Sequence, residues 1–252
     1  MSIKVIDPAY FIDTLPIVES RKRRLNVAYY RPFCLIGFGN NFTIMAPEDP
    51  QKPSVGLIIL AAGASVRLGQ AKQLLKFDDQ TLIFKMTRAG LRSVCFPVQV
   101  VLGANHFQVL REIENLPVYI DINNDWSKGM STSISFGLKK ILEAYRSLDA
   151  VIIMVCDQPY VTAQTINDLV FKYVQSDSLI VASGYNGLLG VPALFDKRLF
   201  SDLLRLSGDT GARKLIKQFD PRFVQNVPFE QGEIDIDTYE DYFLALKKTE
   251  GE

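Results

Sequence analysis

The sequence predicts an α/β fold, a three-layer α/β/α sandwich built around a mostly parallel sheet, and three observations lead there. From Val55 onward, short apolar runs alternate with stretches of helical spacing, the pattern of successive β-α units. Two of the runs, Leu57-Ile58-Ile59-Leu60 and Val151-Ile152-Ile153-Met154-Val155-Cys156, are apolar throughout, as strands buried on both faces of a parallel sheet must be. Each runs directly into a loop of small or polar residues. Right-handed crossovers bring such loops to one edge of the sheet, where ligands bind in folds of this kind.

Taken in order, residues 1–54 read as an N-terminal extension and linker, and residues 55–252 as the main domain. The extension holds an apolar segment at 11–18, read as a strand or an irregular stretch. It also holds a basic run, Arg21-Lys22-Arg23-Arg24, an apolar and aromatic segment at 31–39, and a proline-rich linker at 46–54. The basic run is a solvated turn rather than a nucleic-acid patch. Whether the extension packs on the main domain, mediates self-association or is disordered stays open, and no function is assigned to it. In the main domain, helical spacing is expected over 74–92, with Leu82, Phe84, Met86 and Leu91 on one face. A strand follows at 98–103, then a short helix capped by Asn105, a strand at 118–120, and a helix over 131–145 with Ile134, Leu138, Ile141 and Leu142 inward. After the strand at 151–156, Thr162 caps another helix and 179–182 reads as a strand. Period-two alternation over 233–237 predicts a last short strand, placing Asp235 and Asp237 on one face.

Charge and composition exclude several classes of function. Lys+Arg and Asp+Glu both number 28, so nothing suggests a nucleic-acid or anionic membrane partner. No apolar run is long enough to span a bilayer, and the first residues lack the apolar core of a signal peptide. Three widely spaced cysteines, Cys34, Cys95 and Cys156, suit reduced thiols and a cytoplasmic location. His106 is the only histidine, which argues against histidine-rich metal sites and a Ser-His-Asp triad. A metal here is expected to be a hard cation held by carboxylates.

The stretch most informative about chemistry is Leu57-Ile58-Ile59-Leu60-Ala61-Ala62-Gly63-Ala64-Ser65-Val66-Arg67-Leu68-Gly69-Gln70-Ala71-Lys72-Gln73-Leu74-Leu75. A strand ending in a small-residue loop with free N–H groups and two cations is a place to hold a polyphosphate. A Walker A loop is excluded: five residues separate Gly63 from Gly69, and Gln73 follows the lysine. A dinucleotide fingerprint is absent as well. The spacing resembles the L-A-A-G-x-S-x-R-x-G-x-x-K signature of nucleotidyltransferases with a MobA-like domain. The Lys72-Gln73-Leu74-Leu75 continuation resembles their molybdenum cofactor cytidylyltransferase branch.

Four further segments follow in the order such a resemblance requires. Cys156-Asp157-Gln158-Pro159 closes the second apolar strand. Read alone, Asp157 is equally a turn residue; beside the first loop it resembles the family's C-D-Q-P metal motif. Glu233-Ile234-Asp235-Ile236-Asp237-Thr238-Tyr239-Glu240-Asp241 resembles its D-I-D-T-P-E-D segment, with Tyr239 in place of the proline. That likeness makes Asp237 the preferred second metal ligand and Asp235 the reserve, against a bland role for Asp237 as the cap of the last helix. Asn123-Asn124-Asp125-Trp126-Ser127-Lys128-Gly129-Met130-Ser131-Thr132-Ser133 resembles N-x-x-W-x-x-G-M-x-x-S, which lines the nucleotide site; Trp126 itself is read as a packing residue. Gly190-Val191-Pro192 with Phe195, and Gly208-Asp209-Thr210-Gly211-Ala212-Arg213, resemble G-x-P-x-x-F and G-D-x-G-A-R on the acceptor side. Many members carry histidine where this chain has Val191, so an imidazole is missing there. The bland reading of the second segment has Asp209 capping a helix and Arg213 solvated.

The resemblance covers about residues 55–245 and implies a Rossmann-like nucleotidyltransferase. The implied reaction moves a CMP group from CTP to a phosphorylated acceptor, molybdopterin bearing molybdenum, and releases pyrophosphate. Arg67, Lys72 and Asp157 carry the catalytic roles. Leu60, Ala61, Ala62, Gly63, Ser65, Arg67, Lys72, Gly129 and Ser131 bind the nucleotide. Gly190, Pro192, Gly208, Asp209, Gly211 and Arg213 face the acceptor. Asp157 and Asp237 hold Mg²⁺. Leu-Ala-Ala-Gly accompanies pyrimidine nucleotides in the superfamily, and the Ala62 methyl favours the smaller base on steric grounds. The alternatives are a sugar or polyol phosphate acceptor, or a catalytically weak chaperone that binds the pterin or a partner molybdoenzyme.

Overall fold

The computed structural model describes residues 53–250 and, ahead of them, the strands β1 (Cys34–Phe38) and β2 (Asn41–Met45). The chain divides into two units, Met1–Asp49 and Pro50–Glu252. In the first, β1 and β2 pair antiparallel, with Cys34 opposite Met45 and Phe38 opposite Asn41. The apolar segment 11–18, the basic run 21–24 and most of the proline-rich stretch 46–54 lie outside the described residues.

The second unit is organised on seven strands: β3 (Val55–Ala61), β6 (Val98–Leu102), β7 (Tyr119–Ile122), β8 (Ala150–Val155), β9 (Ile180–Tyr185), β10 (Leu188–Asp196) and β11 (Val224–Pro228). Their order across the sheet is β11-β9-β10-β8-β3-β6-β7. The pairs β3–β6, β3–β8, β6–β7 and β9–β11 are parallel, and only β10 runs against its neighbours β8 and β9. The sheet is mostly parallel, as the continuous apolar runs require.

Strand periodicity divides the core between two faces. Leu57, Ile59 and Ala61 of β3 join a cluster containing Leu82, Ile83 and Met86 of α1 (Leu82–Arg92), Val109 and Ile113 of α2 (His106–Ile113), Ile166 and Leu169 of α4 (Ala163–Val174), and Ala245 of α7 (Tyr239–Glu250). Ile58 and Leu60 face the other way. They meet Ile134, Leu138 and Ile141 of α3 (Met130–Ala144), Leu203 of α5 (Phe200–Leu204), and Ala212 and Ile216 of α6 (Ala212–Gln218). Two helical layers thus enclose one sheet, which is the predicted sandwich. Each fully buried Leu or Ile contributes about 1.5–3 kcal/mol, so the central strands are the unit's main source of stability.

Three expectations need correction. The helix expected from Leu74 begins only at Leu82. A two-residue hairpin, β4 (Lys76–Phe77) and β5 (Gln80–Thr81), precedes it. Its tip is Asp78-Asp79, with φ of 52° and 59°, the doubly left-handed turn that matches strand twist. The strand expected at 233–237 is also absent: Glu230–Glu233 forms a 3-10 turn and the following residues pair with no strand. Alternation still acts there, because Ile236 is fully buried while Asp235 is exposed and Asp237 half-buried. Asn105 precedes α2 as expected, but its φ is 57° and its side chain makes no capping bond. Thr162, by contrast, caps α4 through a reciprocal pair of bonds with Thr165.

Candidate active site

The loop after β3 emerges beside β8, because Leu60 pairs with Val155 and the Cys156 amide donates to the Leu60 carbonyl at 3.1 Å. Ala61 and Ala62 are buried, Gly63 is exposed, and the chain then turns at Ser65, which takes φ 54°. The Ser65 hydroxyl accepts the Lys72 amide at 3.0 Å, closing residues 65–72 into a ring. Gln73 is 1% exposed, and its amide nitrogen donates to the carbonyls of Ala61 and Gly63, both at 2.9 Å. Both hydrogens of that NH₂ are therefore committed to loop carbonyls. A small-residue loop leaving a strand in this way is the kind of backbone that serves an anion through its N–H groups.

Lys72 is the centre of the charged constellation. Its ammonium donates to Asp157 Oδ2 at 2.5 Å and to Asp237 Oδ1 at 2.9 Å. Arg67 reaches the other Asp237 oxygen at 3.3 Å. Burial alone would push the Lys72 ammonium down, but the adjacent Asp157 and Asp237 carboxylates override it and hold Lys72 at about 12. Asp237 arrives from far along the chain: the Ile236 amide donates to the Asp157 carbonyl at 3.0 Å, and buried Ile236 pins the segment. The last helix does not need Asp237 as its cap. The Asp241 carboxylate accepts the Asp237 and Thr238 amides, and the Thr238 hydroxyl accepts the Asp241 amide. Asp235 sits in the same segment. Partial burial, then the nearby Asp157 charge, raise its carboxyl to about 6.

Two adjoining cavities meet at Lys72. One, of about 340 Å³, is lined by Leu60, Ala61, Ala62, Gly63, Lys72, Gln73, Trp126, Gly129, Met130, Asp157 and Asp209, among others. The other, of about 240 Å³, is lined by Gly63, Ser65, Val66, Arg67, Lys72 and Asp237. Trp126 is half-buried and forms part of the first wall, so its role is not packing alone. Gly129 has φ 111°, and a side chain there would overlap the Gly208 carbonyl. Ser131 donates from its hydroxyl to that same carbonyl at 2.6 Å. These contacts clamp the 123–133 loop to the 207–213 loop and bring Asp209 into the first cavity's wall. Gly190, Pro192, Gly211 and Arg213 line neither of these cavities. Arg213 instead donates to the Tyr185 hydroxyl at 2.6 Å, and Gly190 passes so close to that hydroxyl that no side chain fits.

The arrangement suits a divalent cation carried by a nucleotide. Asp157 Oδ1 is buried with no hydrogen-bond partner among the described residues, and Asp237 stands partly open to solvent beside it. No cluster of three or more His, Cys, Asp or Glu gathers among the described residues. Mg²⁺ commonly takes one or two carboxylates and fills its remaining positions with phosphate oxygens and water, so two carboxylates fit it. Cys156 is no nucleophile, because burial pushes its thiol up.

Sequence reasoning placed Lys72, Arg67, Asp157, Asp237 and the small-residue loop, and the structure brings these together. It gave no role to Gln73 or Tyr185. Gln73 stood in the quoted motif, but nothing in its spacing shows a side chain turning back on two carbonyls. Among the described residues, no helix is long and apolar enough to cross a membrane.

Known proteins resemble this chain over most of its length. A nicotine blue oxidoreductase of Paenarthrobacter nicotinovorans is 30% identical over 210 residues, covering 79% of this chain and 99% of its own. The purine catabolism protein PucB of Bacillus subtilis (strain 168) is 29% identical over 75% of this chain and 95% of its own. A molybdenum cofactor cytidylyltransferase of Escherichia coli (strain K12) is 24% identical over 77% and 97%. The crystal structure of Rv0371c from Mycobacterium tuberculosis H37Rv superposes with a TM-score of 0.68 at 24% identity, covering 78% of this chain and 98% of that one. A manganese complex of the same protein gives 0.65 at 23%, covering 77% and 98%. The MobA-like NTP transferase domain profile matches residues 57–223, from the first buried strand to the last crossover. The chain belongs to the MobA-like NTP transferase domain family.

Proposed function

We propose that this protein transfers a CMP group from CTP to a phosphate of a molybdopterin-type acceptor, releasing pyrophosphate, in the cytoplasm. The observation that carries the reading is the meeting of Lys72 with Asp157 and Asp237 under a loop whose carbonyls are taken up by Gln73. A small-residue loop, two cations and a carboxylate pair supply what a triphosphate and its counter-ion require. The name of the Escherichia coli relative supports the cytidylyl group and the acceptor. The manganese complex of the Mycobacterium tuberculosis protein supports a divalent ion, here Mg²⁺.

An oxygen of the acceptor phosphate attacks the α-phosphorus in line. The bond from that phosphorus to the α–β bridging oxygen breaks, and the electron pair leaves on pyrophosphate. Such chemistry needs positioning and charge neutralisation more than covalent help. The Ala61–Ser65 backbone meets the nucleotide, and Gly129 with Asp209 closes the cavity around it. Arg67 and Lys72 neutralise the triphosphate and the charge that grows on the leaving group. Asp157 and Asp237 would hold Mg²⁺, which when bound supplies further neutralisation of the phosphate oxygens. Arg213, held by Tyr185, faces the acceptor with Gly190, Pro192, Gly208 and Gly211.

The test is a pyrophosphate-release screen of the four NTPs against molybdopterin, with and without molybdenum, and against sugar and polyol phosphates. CTP with the pterin is expected to give the highest kcat/KM. Turnover on a sugar or polyol phosphate alone overturns the acceptor, and tight pterin binding without pyrophosphate release makes the protein a carrier.

A further inference from the structure

We infer that Lys72 makes divalent-metal binding conditional on the nucleotide, by holding the metal's two carboxylates itself until a triphosphate draws it away. The inference deepens the proposed function and rests on the assignment of Asp157 and Asp237 as the metal's ligands.

The geometry is specific. One ammonium bridges Asp157 Oδ2 and Asp237 Oδ1. A dication held by the same two carboxylates, through these oxygens or through the unpartnered Asp157 Oδ1, meets a like charge at close range and is opposed until that charge moves away. The Lys72 and Asp157 side chains are only 16% and 19% exposed, and a charge stripped of its partner in such a place is costly. A bare metal ion therefore competes with an ion pair already made and leaves behind an ammonium without a counter-charge.

A triphosphate changes that balance. Lys72 lines both cavities, so a triphosphate seated in either lies within reach of its flexible side chain. Its backbone cannot follow: the amide is bonded to Ser65 and the next residue is anchored through Gln73. With phosphate oxygens as its new partner, Lys72 releases both carboxylates while keeping its charge paired. Arg67 is 73% exposed and holds only the outer Asp237 oxygen, so it does not block the site in the same way. The result is a thermodynamic coupling between two ligands through one side chain.

The test is Mn²⁺ binding, followed by the loss of the free-ion electron paramagnetic resonance signal, on wild type, Lys72→Met and Asp157→Asn. It is run without nucleotide and with a non-hydrolysable α,β-methylene analogue of CTP. Without nucleotide, Lys72→Met is expected to bind Mn²⁺ about tenfold more tightly than wild type, within the usual range of such couplings. With the analogue the order reverses, because the variant has lost a triphosphate contact. Equal or weaker nucleotide-free binding in Lys72→Met overturns the inference, provided that Asp157→Asn abolishes binding with the analogue. Retained binding in Asp157→Asn overturns instead the metal assignment beneath it. Lys72→Gln, with a shorter polar side chain, repeats the comparison should the methionine variant misfold.

Discussion

The loop after β3 and the segment before α7 meet at Lys72, and they are held there in opposite ways. The loop is stitched to itself: Gln73 binds the carbonyls of Ala61 and Gly63, Ser65 binds the Lys72 amide, and the Leu68 amide returns to Ser65. The segment carrying Asp237 is tied locally only at its helix end, where the Asp241 carboxylate accepts the Asp237 and Thr238 amides, and its place in the site is set from elsewhere in the fold. It is fixed by buried Ile236, by the Ile236–Asp157 backbone bond and by Lys72 itself, 165 residues away in sequence. A binding loop made of near neighbours keeps its shape whatever its ligand does. A carboxylate delivered across the fold depends on the partners that receive it.

The largest expected effect comes from removing the partner at the junction. Asp157→Asn keeps the shape of the side chain and its contact with Lys72, but takes away the charge that a hard cation needs. Turnover should fall by about 10²–10³-fold, the range for a group that stabilises developing charge, with the thermal unfolding midpoint close to wild type. Measured with saturating CTP and Mg²⁺, turnover near wild type would show that Asp237 and the nucleotide hold the cation unaided.

The same contrast explains what could be read from the sequence. The β3 loop was legible because its determinants are contiguous: a buried strand, small residues, and two cations at short spacing. Alternation at 233–237 identified the inward Ile236 and the outward Asp237, yet it suggested a strand, because period two shows which way side chains point and not whether a neighbouring strand is there to pair. The Asp78-Asp79 turn was missed for a related reason. Apolar residues on either side matched helical spacing, and the left-handed preference of two aspartates carried too little weight. Asn186-Gly187 is a clear hairpin cue, and it is the turn between β9 and β10. Gln73's carbonyl contacts and the Arg213–Tyr185 pair depend on side-chain direction in space, which no spacing conveys.

A middle-sized effect tests the self-stitched side. Gln73→Leu is close in volume but cannot donate, so the buried Ala61 carbonyl and the part-buried Gly63 carbonyl lose their partner. An unsatisfied buried group costs about 1–3 kcal/mol, and the unfolding midpoint should drop accordingly. The KM for CTP should rise several-fold, while the KM for the acceptor changes little because its side of the cleft is held by other contacts. Equal rises in both KM values would mean that Gln73 supports the core in general and not the nucleotide loop in particular.

The smallest effect concerns base selectivity, and the structure refines what to expect. Ala62 lines the larger cavity and is 6% exposed. Its carbonyl accepts the Ala104 amide at 3.0 Å, and its methyl lies so near Gly103 that a side chain added there would come within 2.8 Å of it. Part of that methyl is therefore spent on packing against the β6 loop, and only the remainder faces the cavity. A methyl filling a tight pocket discriminates by about 1–3 kcal/mol, so a shared one belongs at the low end, about 1 kcal/mol or roughly fivefold. CTP should outcompete GTP on the wild-type enzyme, and Ala62→Gly should narrow the ratio of kcat/KM values by that amount without reversing it. Glycine at 62 also loosens the junction with Gly103, so a parallel melt separates a wider pocket from a softer loop. A wild-type preference for GTP would overturn the cytidylyl assignment. An unchanged ratio with an unchanged melt would mean that the methyl faces Gly103 alone, and that the base is read by the 126–130 wall across the cavity.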